Sequence, residues 1–143
     1  MPAFEYKTNS EEETTSLGVL LAQHITPPAV VVLIGKLGAG KTALVKGFVK
    51  GLGVAEPEEV SSPTFALIHE YGKPVRVYHI DLYRLETEAE VVGIGFEELF
   101  DRPALVLIEW GERFPNLMPM PRVEIDMEVT GDSTRTIRVR TVQ

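Results

Sequence analysis

One segment of the chain, residues 35–42, reads GKLGAGKT and matches the complete phosphate-binding loop pattern G-x-x-x-x-G-K-[ST]. The run before it, Ala29–Ile34, is wholly apolar, and residues 43–49 follow it as the expected start of a helix. A buried strand that leads into a glycine loop at the start of a helix is the context in which this pattern binds phosphate. The segment therefore predicts an α/β fold of the P-loop NTPase type.

Each residue type in this loop has a physical role in binding a polyphosphate. The glycines let the backbone curl so that successive N–H groups point inward, and the helix that follows adds the positive end of its dipole. Lys41 is expected to reach the terminal phosphates, and the Thr42 hydroxyl is expected to hold Mg²⁺. A chance glycine turn is the alternative. The predicted nucleotide contacts in the loop are Gly35, Lys36, Leu37, Gly38, Ala39, Gly40, Lys41 and Thr42.

Length and composition are those of one small domain covering residues 1–143. An apolar content of 44% with 24% charged residues is ordinary for a globular protein. No stretch approaches the roughly 18 apolar residues of a membrane span, and the first five residues lack the features of a signal peptide. The chain has no cysteine, which excludes disulfides and zinc-thiolate sites. We therefore expect a cytoplasmic protein without a membrane segment.

The net charge of −7 argues against a protein that binds nucleic acid on its own, because phosphate contacts require clustered Lys and Arg. Acidic residues gather at 11–13, 56–59 and 86–98. A solvated surface explains such clusters, and a docking face for a basic partner is the alternative. A late group of arginines breaks the acidic trend: Arg135, Arg138 and Arg140.

Hydrophobic periodicity predicts further elements around the loop unit. Ser10 and Glu13 have the spacing of a capping box before a helix, as do Thr87 and Glu90. The predicted helices cover residues 11–25, about 41–51 and about 87–100. The predicted strands cover residues 29–34, 64–71, 75–83, 104–108, 123–129 and 135–139.

Acidic residues follow two of these predicted strands. A phosphate loop needs an acidic partner that fixes Mg²⁺, usually at the end of an adjacent buried strand. Glu109 ends the apolar run at 105–108, so we predict it as the metal partner; a strand-end carboxylate facing water is the alternative. Asp81 is predicted to hold a metal-bound water or to position the attacking one. His79 shares its strand face, and either residue could instead be a polar group on a half-exposed strand.

The segment Ser61-Ser62-Pro63-Thr64-Phe65 follows the loop and helix. Many phosphate-loop proteins carry at this point a switch that senses the γ-phosphate. Thr64 is the candidate for contacting phosphate or metal, and a plain turn into a strand is the alternative.

Four motifs in this order resemble the bacterial TsaE (YjeE) ATPases, which serve the synthesis of threonylcarbamoyladenosine beside the tRNA anticodon. They are G-x-L-G-A-G-K-T, Ser62-Pro63-Thr64-Phe65, His79-x-Asp81-Leu82-Tyr83-Arg84-Leu85 and Ile108-Glu109-Trp110. The resemblance implies a mixed sheet with the phosphate loop at its edge and flanking helices. It also implies slow Mg-ATP hydrolysis and action through two partners, TsaB and TsaD, with tRNA reached only through their complex.

The resemblance also assigns roles to individual residues. Lys41 and Thr42 become the ligands of phosphate and Mg²⁺, Glu109 the second metal partner and Asp81 a catalytic acid. Trp110 belongs to the last motif. Adenine contacts are implied for Ser10, Glu11 and Arg135.

The chain departs from the family pattern at the second loop position, where an acidic residue is usual and Lys36 stands here. An extra cation beside the phosphates would tighten ATP or ADP binding. Gly111 stands where proline is frequent.

Other classes of phosphate-loop protein fit the sequence less well. A small-molecule kinase needs a lid with arginines and a second substrate pocket, for which this short chain has little room. A GTPase needs an Asn-Lys-x-Asp segment, which the sequence lacks. A nucleotide-gated assembly module would bind nucleotide without turnover, even with its partners present.

Overall fold

A mixed sheet of seven strands lies at the centre of the computed structural model, which describes residues 3–36 and 38–143. The strands are β1 (Phe4–Thr8), β2 (Ala29–Ile34), β3 (Ile68–Tyr71), β4 (Val77–Asp81), β5 (Leu105–Glu109), β6 (Arg122–Val129) and β7 (Arg135–Val142). Their spatial order is β1-β7-β6-β2-β5-β4-β3. The four inner strands β6, β2, β5 and β4 are parallel, and the outer pairs are antiparallel. The predicted α/β fold with a mixed sheet is confirmed.

Strands β2, β4 and β5 are largely buried on both faces, which explains why β2 and β5 read as continuous apolar runs. Helices α1 (Glu11–Ala22) and α2 (Lys41–Gly51) pack on one face, against the side chains of Val31 and Leu33. The short helix α3 (Glu88–Gly93) packs on the other, where Val32 points. Shorter 3-10 turns cover Pro57–Glu59, Glu97–Asp101, Gly111–Arg113 and Pro115–Leu117. None of the helices in the described ranges has the length and apolar content to cross a bilayer.

Two glycines bring α1 and α2 into backbone contact. A Cβ atom on Gly18 would lie 2.8 Å from the Cα atom of Gly47, and a Cβ atom on Gly47 would lie 2.7 Å from the Cα atom of Gly18. Both distances are shorter than real Cβ contacts, and the atoms concerned are backbone atoms that cannot rotate away. The spacing of the two helices therefore depends on the absence of side chains at these positions.

The sequence prediction missed β1, which pairs antiparallel with β7 as the outermost strand of the sheet. Its residues alternate, F-E-Y-K-T, but only Thr8 at its end is fully buried. Five residues with a weak burial pattern gave too little signal for a strand. The final hairpin was predicted, and β6 and β7 confirm it.

Several predicted elements are shorter than expected. Helix α1 ends at Ala22 instead of residue 25, because Gln23 and His24 donate to carbonyls three residues back and tighten the chain into a turn. The strand predicted from residue 64 begins at Ile68, since the Leu67 amide donates to the Pro63 carbonyl at 2.6 Å and closes a turn. Leu67 there has a left-handed φ of 72°. The helix predicted to residue 100 stops at Gly93, and Gly95 has a φ of 82° before the 3-10 turn.

The phosphate-loop motif follows β2, the fourth strand of seven. It therefore lies at the carboxyl-end edge of the sheet, on its central strand and not on an outer one. Parallel strands on either side end at the same edge, as in other α/β proteins that bind ligands beyond the carboxyl ends of their strands.

Candidate functional site

A cavity of about 700 Å³ opens at this edge of the sheet. The neighbouring parallel strands bring Leu33, Glu109 and Asp81 into register, so that both carboxylates lie beside the loop that follows β2. From the motif itself, the cavity is lined by Gly38, Gly40, Lys41 and Thr42. From other parts of the chain, the predicted site residues in the lining are Ser10, Glu11, Thr64, Asp81, Glu109 and Arg135.

The Lys41 ammonium group is held at the base of this cavity. The residue is only 5% exposed, and its Nζ atom donates to the Gly35 carbonyl at 2.8 Å. The same atom lies 3.6 Å from Glu109 Oε1 and 4.4 Å from the centre of the Trp110 ring. A buried cation with a carboxylate on one side and an aromatic face on the other is fixed in place before any ligand binds.

The start of α2 has the features of an anion-binding site. Gly40 precedes the helix with a φ of 100°, a conformation that a side chain would strain. Within the described residues no side chain caps the first turn of α2, and that turn contains no acidic residue. By contrast, α1 begins with the Ser10 hydroxyl accepting from the Glu13 amide at 3.1 Å. The first amides of α2 are thus available to a phosphate group, which the helix dipole favours.

Two hydrogen bonds orient the carboxylate of Asp81. The Tyr83 amide donates to Oδ1 at 2.9 Å, and the Thr64 hydroxyl donates to Oδ2 at 3.1 Å. The Ser62 hydroxyl lies 2.8 Å from the Thr64 hydroxyl and extends the chain of polar contacts. The structure therefore connects the predicted catalytic acid to the predicted switch segment, two parts of the sequence that are 17 residues apart.

The residues at the site are of the kinds that a magnesium nucleotide requires. No group of three or more His, Cys, Asp or Glu residues suited to a metal ion is found in residues 3–36 and 38–143. Mg²⁺ bound with nucleotide keeps several waters and takes its remaining ligands from phosphates and one or two protein oxygens. Thr42 and Glu109 both line the cavity and offer a hydroxyl and a carboxylate for this purpose.

Arg135 holds the loop as well as lining the cavity. Its guanidinium group donates to the carbonyls of Ala39 and Gly38, each at 3.2 Å. This contact ties the phosphate loop to β7, which lies two strands away from β2. The loop motif does not predict these hydrogen bonds, because the two carbonyl partners are 96 and 97 residues from Arg135 in the sequence.

Three further predicted contacts, Gly35, Lys36 and Ala39, are not part of the cavity lining. Lys36 is exposed, Ala39 is buried, and Gly35 takes part through the carbonyl that holds Lys41. Leu37 lies outside the described residues.

Sequence reasoning did not assign several residues that line the cavity. Tyr83 follows Asp81 by two positions, and its ring centre lies 5.1 Å from that of Trp110; its place in the third motif was the available signal. The lining residues of the last hairpin turn were not predicted as site residues, because short polar turns are common and do not by themselves indicate a binding site. The unassigned lining residues are Thr14, Ala43, Ser62, Tyr83, Trp110, Asp132 and Ser133.

Comparison with known proteins decides between the families that share this loop. A family model described as "Threonylcarbamoyl adenosine biosynthesis protein TsaE" matches residues 8–137. The chain belongs to the TsaE family. The resemblance read from the four sequence motifs is thereby confirmed.

Individual members of the TsaE family match almost the whole chain. The tRNA threonylcarbamoyladenosine biosynthesis protein TsaE of Bacillus subtilis (strain 168) is 38% identical over 138 residues, which are 96% of this chain and 85% of that protein. The protein of the same name from Treponema pallidum (strain Nichols) is 38% identical over 132 residues, 92% of this chain and 96% of that protein. The crystal structure of Bacillus subtilis YdiB superposes with a TM-score of 0.79 at 32% identity, covering 99% of this chain and 87% of that one.

Proposed function

We propose that this chain is a magnesium-dependent ATPase of the cytoplasm that assists the synthesis of threonylcarbamoyladenosine on tRNA. The observation that carries the proposal is the convergence of Lys41, Thr42, Asp81 and Glu109 on one cavity at the uncapped start of α2. Membership of the TsaE family supports the link to tRNA modification. The absence of a guanine-reading segment from the sequence favours ATP over GTP.

In this proposal each residue has one task in binding or orienting the nucleotide. Lys41 and the first amides of α2 bind the phosphate groups, while Thr42 and Glu109 hold Mg²⁺. When bound, Mg²⁺ polarises phosphate oxygens and neutralises the charge that develops on them. Asp81 orients a water molecule, and its own orientation is set by the Tyr83 amide and the Thr64 hydroxyl.

The charge of the chain supports action through a protein complex, which the resemblance to the TsaE family implies. A protein with a net charge of −7 releases few counterions from tRNA and is not expected to hold it alone at physiological salt. Two arginines of β7 are in addition paired with carboxylates, Arg138 with Glu5 and Glu128, and Arg140 with Glu124. We therefore propose that TsaB-like and TsaD-like partners hold the tRNA and that this chain acts on them.

ATP turnover measured with and without the two partner proteins and tRNA tests this function. We expect slow hydrolysis by the chain alone and faster hydrolysis when the partner pair is added. An unchanged rate would indicate a free-standing enzyme, such as a small-molecule kinase whose second substrate is missing. Bound nucleotide without turnover under all conditions would indicate a nucleotide-gated assembly module. Tight binding of tRNA by the isolated chain would also contradict the proposal.

The Thr64 segment is expected to couple nucleotide state to partner binding. Thr64 contacts Asp81 inside the cavity, and the next residue, Phe65, is 83% exposed. A displacement of Thr64 on nucleotide binding would move an apolar side chain on the protein surface. Such a coupling between two sites is typically worth about 5- to 150-fold in affinity.

Replacement of Thr64 by alanine should therefore remove most of the preference of the partner pair for the ATP state, while ATP affinity changes little. Calorimetric titration against the pair with ATP, with ADP and without nucleotide measures the preference. Ser16→Ala, which removes an exposed hydroxyl from α1, serves as the control. Partner binding indifferent to nucleotide in the unaltered chain would refute this coupling.

A further inference from the structure

His79 is a buried histidine for which the proposed function has so far given no role. Its side chain is 0% exposed, and its Nε2 atom lies 2.5 Å from Oε2 of Glu109. No partner for its Nδ1 atom is found among the residues that the structure describes. The side chain is not part of the cavity lining, so it is not placed to contact nucleotide or metal directly.

Packing alone does not account for a histidine at this position. His79 lies in β4 between Val77 and Asp81 on the face that α1 and α2 cover, where its neighbours on β5 are Leu105 and Leu107. A buried ring nitrogen without a partner costs about 1–3 kcal/mol of stability. Leucine would fill the same place without that cost.

The contact with Glu109 determines which ring nitrogen carries the proton. An ionised carboxylate only accepts hydrogen bonds, so Nε2 is the donor. One carboxylate oxygen of Glu109 is thereby engaged by His79. The other, Oε1, lies 3.6 Å from the Lys41 Nζ atom, and Glu109 lines the cavity.

We propose that His79 is a positioning residue that holds the Glu109 carboxylate with Oε1 directed to the magnesium site. This inference rests on the proposed function, because it assumes that Glu109 is a metal partner. Groups that hydrogen-bond to a metal ligand and orient it typically contribute about 10- to 100-fold in metal affinity or activity. His79 acts through Glu109 and touches neither the nucleotide nor the metal.

A pair of substitutions separates positioning from packing. His79→Leu removes the donor while keeping a side chain of similar size, and His79→Gln keeps an N–H donor that can reach Glu109. ATP affinity is measured by calorimetry in Mg²⁺ and in EDTA, together with the melting temperature. We expect His79→Leu to lower the gain in ATP affinity that Mg²⁺ provides by about 10- to 100-fold. The ATP affinity of this variant in EDTA should be unchanged. His79→Gln should restore most of the lost gain.

His69→Leu is the matched control, since this partly buried histidine lies opposite His79 in the β3–β4 pair and contacts the Ser61 carbonyl instead of a carboxylate. An unchanged Mg²⁺ dependence in His79→Leu, or equal losses in Mg²⁺ and EDTA, would overturn the inference. If the unaltered chain shows no Mg²⁺-dependent ATP binding, both the proposed function and this inference are overturned. Failure of the inference alone is therefore distinguishable from failure of the proposed function.

A measurement on the unaltered chain keeps the inference testable if the variants do not fold. Histidine-selective ¹⁵N NMR reports which ring nitrogen is protonated, and replacement of the other two histidines, His24 and His69, assigns the signal of His79. We expect Nε2 of His79 to carry a proton before and after addition of Mg-ATP. A ring protonated at Nδ1 alone would overturn the proposed hydrogen bond.

Discussion

Replacement of Lys41 by alanine is expected to weaken ATP binding by about 2–4 kcal/mol, roughly 30- to 700-fold in dissociation constant. Lys41 is buried, held by the Gly35 carbonyl, and directed into the cavity where the phosphates would lie. Without it the phosphates would lose a desolvated cation, and the buried Glu109 carboxylate would lose its ion-pair partner. Calorimetric titration with ATP and with GTP measures the effect.

Lys50→Ala is a suitable control for the Lys41 substitution, because Lys50 is an exposed lysine in the last turn of the same helix. Its ATP affinity should equal that of the unaltered chain. A Lys41→Ala protein that binds ATP normally, or a chain that binds GTP and ATP equally well, would show that the loop does not hold nucleotide as proposed.

Replacement of Asp81 by alanine is expected to lower ATP hydrolysis by a factor of about 10² to 10⁴, the range for a positioned group that handles a proton or a water. ATP affinity should stay close to that of the unaltered chain, because Asp81 in the proposal orients water and does not bind phosphate. Trp110 is the only tryptophan of the chain and lies beside Lys41, so its fluorescence can follow binding independently of turnover.

Two comparison variants define the role of Asp81. Asp81→Asn keeps an oxygen that accepts from the Tyr83 amide, and its NH₂ group can donate to the Thr64 hydroxyl oxygen, but the negative charge is lost. Slow hydrolysis in this variant would assign the effect to the charge. Glu109→Ala should instead reduce the Mg²⁺ dependence of ATP binding. If Asp81→Ala loses the Mg²⁺ dependence and Glu109→Ala retains it, the two carboxylates have exchanged roles.

The parts of the molecule that were predictable from the sequence are those whose signal is local. The loop motif with its flanking apolar run located β2 and the start of α2, and the run that ends in Glu109 located β5. Asp81 was identified as a site candidate because it ends a strand, and the structure places it beside Glu109.

The parts that escaped prediction depend on contacts between distant segments. The weakly patterned strand β1 is defined by its pairing with β7, which follows more than 120 residues later. Two hydrogen bonds likewise join residues that no spacing rule connects. One links His79 to Glu109, and the other links Arg135 to the backbone of the phosphate loop. The turn at Leu67 is stabilised by its own backbone hydrogen bond, which overrides the β-rich composition around it.

The contact between Gly18 and Gly47 has a mechanical consequence for the site. Ser10 and Glu11 at the start of α1 and Lys41 and Thr42 at the start of α2 all line the cavity. Because the two backbones touch, we expect the two helix ends to move together, so that their separation stays constant when a ligand binds. In the proposed function, we therefore expect the shape change that reports ATP to a partner to arise in the segment at residues 61–67, where the Thr64 hydroxyl donates to Asp81.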